Sequence, residues 1–480
     1  MNNQKDESMQ YGNEQDGVQT PEHGGEPMHK MKRLTEGAVL PVLLKLALPI
    51  MGASFVQMAY NLTDMYWVGY IGSEPLSAVG IAGFYIWLSV AFVVLVRVGT
   101  EVKVAHRTGA RDDEDAQRYA GTGIVLATLI ALAYSVLVIA LAEPLIDIFN
   151  TTASVHRQSV DYLVVVSFGI IFTFLNPVLG AIFNSKGYSA FAFYANLLGT
   201  ILNFALDPIF ILGFGSIPPM GVVGAAVATI FSQMASTLVC LYVFFFKKKL
   251  FHDLRIRLLF QIQGFGERAK EVLKLGLAPA VHSAMFTLIS IVIGILVSRY
   301  GTNANAVQKL GTQIESLSWM TASGISFALT AFIGQNFGAA EYRRVWDGYR
   351  IGMALCTVLG IVSTLLLFFL GEPLFRLFIS DTEVVQMGGD YLRILALSQL
   401  LMCFDITCTG IFNGLGITKL PAVIGVTFNL IRIPMAYFLV TTSLDLNGIW
   451  WAITISSWLK GVFLLVFLRR DMRNFKSCVD

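Results

Sequence analysis

The sequence predicts an all-α membrane protein of twelve transmembrane helices, in two six-helix lobes related by a pseudo-twofold axis along the membrane normal. Three observations lead there. Of the 480 residues, 55% are hydrophobic and 14% charged, against about 25% charged in an ordinary soluble domain, so lipid must be part of the solvent. Apolar segments of roughly the 20 residues that cross a bilayer follow one another from Lys45 to Leu468. The chain also repeats itself: Glu143-Pro144-Leu145, Asp161-Tyr162-Leu163 and Ile182-Phe183-Asn184-x-x-Gly187 recur 229 residues later as Glu372-Pro373-Leu374, Asp390-Tyr391-Leu392 and Ile411-Phe412-Asn413-x-x-Gly416.

In order, the spans fall near 45–68, 76–99, 119–142, 160–184, 190–213, 222–246, 271–298, 306–334, 347–370, 390–413, 420–441 and 448–468. The longest polar interruption, the basic stretch 247–274, divides them six and six. Each half then crosses an even number of times, so both begin on one face as parallel repeats. The expected organisation is a disordered tail 1–29, an N-terminal lobe 30–246, a linker 247–270, a C-terminal lobe 271–470 and a tail 471–480. Lys and Arg recur at one set of ends. Lys30, Lys32, Arg33 and Lys45 precede the first span, Arg107, Arg111 and Arg118 follow the second, and Lys186 follows the fourth. Lys247, Lys248 and Lys249 follow the sixth, Arg343 and Arg344 the eighth, Lys419 the tenth, and Arg469, Arg470 and Arg473 the twelfth. By the positive-inside rule both tails and the linker are cytoplasmic, in the cell's inner (plasma) membrane.

Several functions are excluded at this stage. The net charge of +2 is too small to imply nucleic acid, and topology explains the bases. Residues 1–28 lack the apolar core of a signal peptide. The five cysteines form no CxxC pattern, so neither a disulfide nor a metal site is implied. No phosphate loop, nucleophile elbow or His-Glu-x-x-His pair is present. The chain reads as a non-enzyme without cofactors.

Ionisable groups inside spans are costly and therefore functional candidates. Asp64 and Asp207 fall in the outer part of the bilayer, at the depth of Thr229 in the sixth span. Each has a polar or small neighbour one turn away on its own face: Tyr60 with Asp64, Asn203 with Asp207, Ala225 with Thr229. Two carboxylates, a carboxamide, a phenol, a hydroxyl and a backbone carbonyl converging there make an oxygen-only set, which suits a proton or a hard cation such as Na+. The bland alternatives are a carboxylate at Asp64 reaching headgroup water and one at Asp207 capping the kink of Pro208. Arg97 and Glu101, spaced i, i+4, read as a solvated ion pair. Asp405 and Arg432 read either as a buried pair lining the C-terminal lobe or as side chains reaching water separately. His282 reads as a packed or hydrogen-bonded residue.

The sequence resembles the multidrug and toxic compound extrusion (MATE) family. The matching residues are Tyr60-Asn61-Leu62-Thr63-Asp64 with Trp67-Val68-Gly69, then Leu202-Asn203-x-x-Leu206-Asp207-Pro208-Ile209-Phe210 leading to Gly221-Val222-Val223-Gly224-Ala225-Ala226-x-Ala228-Thr229. The resemblance implies an antiporter whose lobes form a V-shaped cleft and which exports cationic or amphipathic organic compounds in exchange for H+ or Na+. It places the coupling site at Asp64, Asn203, Asp207, Ala225 and Thr229, a bend of the first helix at Pro49, and Tyr60, Tyr162 and Asn176 as neighbours. It departs from some branches in lacking a glutamate near Thr287, while Asp405 resembles the acid those branches carry in the tenth helix. A lipid or lipid-linked-sugar flippase of the same superfamily is the alternative. The expected partners are small organic substrates and the bilayer, and the chain is expected to act as a monomer.

Overall fold

The computed structural model describes residues 34–246 and 256–477. The expected tail 1–29, the basic run 247–255 and the end 478–480 lie outside the described residues. The first lobe comprises α1 (Val39–Tyr70), α2 (Ser73–Gly109), α3 (Asp113–Ala140), the short α4 (Ala142–Asp147), α5 (Ala153–Phe168), α6 (Ile170–Ser185), α7 (Ser189–Leu212) and α8 (Gly221–Phe246). After the single turn α9 (Ile256–Leu259), the second comprises α10 (Phe265–Ser298), α11 (Thr302–Gly338), α12 (Tyr342–Arg376), α13 (Thr382–Ala396), α14 (Gln399–Gly414), α15 (Lys419–Val440) and α16 (Leu446–Ser477). Ten helices are long and apolar enough to cross a membrane. Two bent pairs, α5 with α6 (48°) and α13 with α14 (51°), complete the twelve.

Those two bends were not visible in the composition, and they express the duplication. The break at Gly169 and the break at Leu397–Ser398 stand at equivalent places in the repeat, and α2 and α11 begin and end at equivalent residues. The helices also overrun the apolar windows. At about 1.5 Å per residue, the 37 residues of α2 or α11 reach about 55 Å, well beyond a hydrocarbon core of about 30 Å. The surplus lies at the basic end, where α2 carries Glu101, Lys103, His106 and Arg107. For the same reason α10 starts within the expected linker and α16 runs into the expected tail.

The lobes join at this basic end. Gln335 Nε2 donates to the Ser185 carbonyl (2.5 Å) while its Oε1 accepts from Leu34 N (3.1 Å). His106 Nε2 bonds the Gly414 carbonyl at 2.7 Å, and Arg344 Nη1 donates to the Gly37 carbonyl at 2.7 Å. The α2–α10 crossing is the closest approach. A Cβ on Gly99 would overlap the Val272 carbonyl, and one on Gly276 would overlap the Leu95 carbonyl. Small residues let two backbones meet in this way. Gly276→Val is therefore expected to lower stability by at least about 1–3 kcal/mol, the usual cost of overpacking, because backbone cannot rotate away. Thermal unfolding of the purified variant measures it, with Gly294→Val, a position with open space around it, as the unaffected control.

Arg97 and Glu101 are not the solvated pair their spacing implies. They lie 3.4 Å apart with side chains 15% and 2% exposed, and the Arg97 guanidinium sits 3.7 Å from the centre of the Phe327 ring. The overrun of α2 packs them between the lobes instead of in water.

Candidate functional site

Three helices of the first lobe bring the predicted residues together. Asp64 lies in the last two turns of α1, Asp207 in the last two of α7 and Thr229 in the third turn of α8. α7 packs against both α1 and α8. Asn203 and Asp207 are fully buried, and Asn203 Nδ2 donates to Asp207 Oδ1 at 2.9 Å. The helix continues through Pro208, which has no N–H to give the carbonyl one turn back. Asp207 feels the charge of Asp64, and both acids act on the hydroxyls of Tyr60 and Tyr162. Ala225 is fully buried one turn before Thr229. α1 likewise runs unbroken through Pro49.

Two features set this cluster apart. Its buried oxygens are under-used: Tyr60 Oη, Asp64 Oδ1, Asn203 Oδ1, Asp207 Oδ2 and Thr229 Oγ1 have no hydrogen-bond partner among the described residues. Buried polar atoms are seldom left so, and each one is costly. It also lacks a resident base, since no Lys, Arg or His among the described residues acts on Asp64 or Asp207.

Asn176 is one step removed. Its Nδ2 donates to Gln233 Oε1 (2.7 Å) and its Oδ1 accepts from Thr237 Oγ1 (2.9 Å), and Gln233 in turn stands beside Tyr60. Gln233 is a member that sequence reasoning missed. The available signal was its place one turn after Thr229 on the same face of α8.

The second lobe fits neither reading of Asp405 and Arg432, the buried pair or the two side chains reaching water separately. Asp405 Oδ2 is held by Lys460 Nζ at 3.2 Å, with side chains 15% and 8% exposed. Arg432 instead donates from Nε to Ser456 Oγ at 2.9 Å, and both Glu315 and Asp405 stand near it, Glu315 accepting from Gln399 Nε2 at 3.0 Å. Asn429, which precedes Pro434 by five residues as Asn203 precedes Pro208, meets His282 Nε2 at 3.4 Å. Asp405 is therefore accompanied by a base at ion-pair distance, and Glu315 by a carboxamide. The reason is angular: α16 turns Lys460 toward α14, and α15 turns Arg432 toward α16.

The MatE family model matches the chain twice, over residues 49–209 and 279–438. The chain belongs to the MatE family. The two matches begin at Pro49 and Pro279, so each lobe is one MatE repeat, and the protein is a membrane transporter and not an enzyme. Among its relatives is the probable multidrug resistance protein NorM of Thermotoga maritima, 29% identical over 413 residues that cover 85% of this chain and 87% of the relative. The probable multidrug resistance protein YoeA of Bacillus subtilis is 25% identical over 410 residues, covering 84% and 87%. Among solved structures, a MOP superfamily transporter of Pyrococcus furiosus, described by the reverse polarity of its binding pocket, superposes with a TM-score of 0.86. That likeness has 24% identity over 94% of this chain and 100% of the other, and it supports the two-lobe MatE fold.

Proposed function

We propose that this MatE protein is a secondary active exporter that exchanges H+ or Na+ for cationic or amphipathic organic compounds, and that its coupling ion binds in the first lobe. The observation that carries this reading is the pair Asp64 and Asp207: two neighbouring acids with unpartnered buried oxygens and no Lys, Arg or His paired with them among the described residues. Charges in such a place are tolerated when something neutralises them. A proton or Na+ that enters and leaves does so, and the surrounding Asn203, Thr229, Tyr60 and the Ala225 carbonyl supply oxygen ligands for it. In the second lobe Asp405 already has Lys460 for this purpose, which supports a coupling site in the first lobe. The multidrug names of the NorM and YoeA relatives support the substrate class.

In this reading the coupling ion favours one lobe arrangement by its differential affinity, and the substrate, bound in a cleft between the lobes, favours the other. The basic end is cytoplasmic, the lobes are bounded near 30–246 and 271–470, α1, unbroken at Pro49 in this structure, bends there during the transport cycle, and one chain suffices. Inverted vesicles carrying the protein are expected to accumulate a cationic dye under either an imposed proton gradient or an imposed Na+ gradient. Accumulation under neither gradient would overturn the proposal.

A further inference from the structure

At the basic end the two lobes do not fit flush. A cavity of about 600 Å³ opens beside the α2–α10 crossing, lined by α2 of the first lobe and by α10 and the start of α15 in the second. Its polar walls are Lys103 and His106 from α2, Glu271 and Lys274 from α10, and Thr418 and Lys419 where α15 begins. These charges do not cancel. Glu271, the single acid in the group, already accepts from Lys103 Nζ and Tyr119 Oη, each at 2.5 Å. Lys274 and Lys419 have no ion pair among the described residues. Thr418, the N-cap of the 22-residue α15, makes no side-chain capping bond, so the positive end of that helix adds to the lysines.

The positive-inside rule accounts for lysines at this end of the molecule. It does not account for their convergence, from three separate segments and both lobes, on one void. We infer that the cavity binds a phosphate-bearing anion, either the headgroup of an anionic phospholipid or free phosphate, and that the anion staples the lobes together. Basic pockets between membrane helices suit such headgroups. Because α2 supplies one wall and α10 and α15 the other, the complete site exists only while the lobes are closed here. A bound anion therefore stabilises that arrangement by its differential affinity.

The test uses the full-length protein in phosphatidylcholine nanodiscs, with and without phosphatidylglycerol, and separately with millimolar inorganic phosphate. Phosphatidylglycerol is expected to raise the unfolding temperature, as a ligand of the native state does, and at least one molecule of it is expected to remain bound in native mass spectrometry. Lys274→Gln with Lys419→Gln is expected to abolish the shift and the retained lipid. Arg470→Gln with Arg473→Gln, on exposed residues of the same end, is expected to keep both. The paired Lys→Arg variant preserves charge and is expected to bind, which separates loss of the site from loss of the fold. A shift from phosphatidylglycerol alone identifies a lipid headgroup, and an equal shift from inorganic phosphate identifies a soluble anion. No shift from either, or equal shifts in wild type and the double Gln variant, would overturn the inference.

Discussion

An Asp207→Asn protein is expected to insert, fold and fail to transport. The amide is isosteric with the acid and keeps an oxygen for Asn203 Nδ2, 2.9 Å away, so packing and the local hydrogen bond survive. Only the charge proposed to recruit the coupling ion is gone. Efflux should fall to the level of cells without the transporter, and Asp64→Asn should do the same because the two acids act on one site. Thermal unfolding gives the complementary result. Removing a buried, uncompensated charge should leave stability unchanged or raised, whereas loss of a structural ion pair would lower it. Thr229→Ala removes one oxygen ligand and keeps both charges, so ion affinity should fall about tenfold, in line with a hydrogen bond to a charged group. Full efflux in both acid variants would locate coupling elsewhere.

The opposite pattern is expected in the second lobe. Lys460→Met strands Asp405, whose partner stood 3.2 Å away in a largely buried setting. Breaking one side of such a pair costs about 3–5 kcal/mol, whereas replacing both sides with apolar residues is often close to neutral. Lys460→Met should therefore unfold at a clearly lower temperature, and adding Asp405→Leu should restore most of the loss. A double-mutant cycle measures the coupling. If Lys460→Met alone is as stable as wild type, then Asp405 is held by something other than Lys460. The two experiments together separate acids that wait for a cation from acids that already have one.

Much of this molecule is legible in one dimension. Lipid offers no hydrogen bonds, so every span must be a helix satisfied within itself, and its apolar run is written directly in the chain. The repeat is legible for the same reason, because Glu143 and Glu372 or Asn184 and Asn413 recur at one offset. Asp64 and Asp207 are legible because a charge in an apolar run is rare and costly. Gln233 is less so, since a neutral amide carries no such penalty and its value depends on meeting Asn176 and Tyr60.

The sequence alone determined the twelve spans, the two repeats and the presence of Asp64 and Asp207 inside spans of the first, because hydropathy and charge cost are properties of single residues. Tertiary structure decided which charges meet. Asp405 takes Lys460 and not Arg432, Arg97 and Glu101 are buried between lobes, and Lys103, Lys274 and Lys419 converge on one cavity. Those outcomes depend on how each helix is rotated about its axis, how far it overruns the bilayer and how closely glycines let it approach a neighbour. Such quantities belong to pairs of helices, and no single segment encodes them.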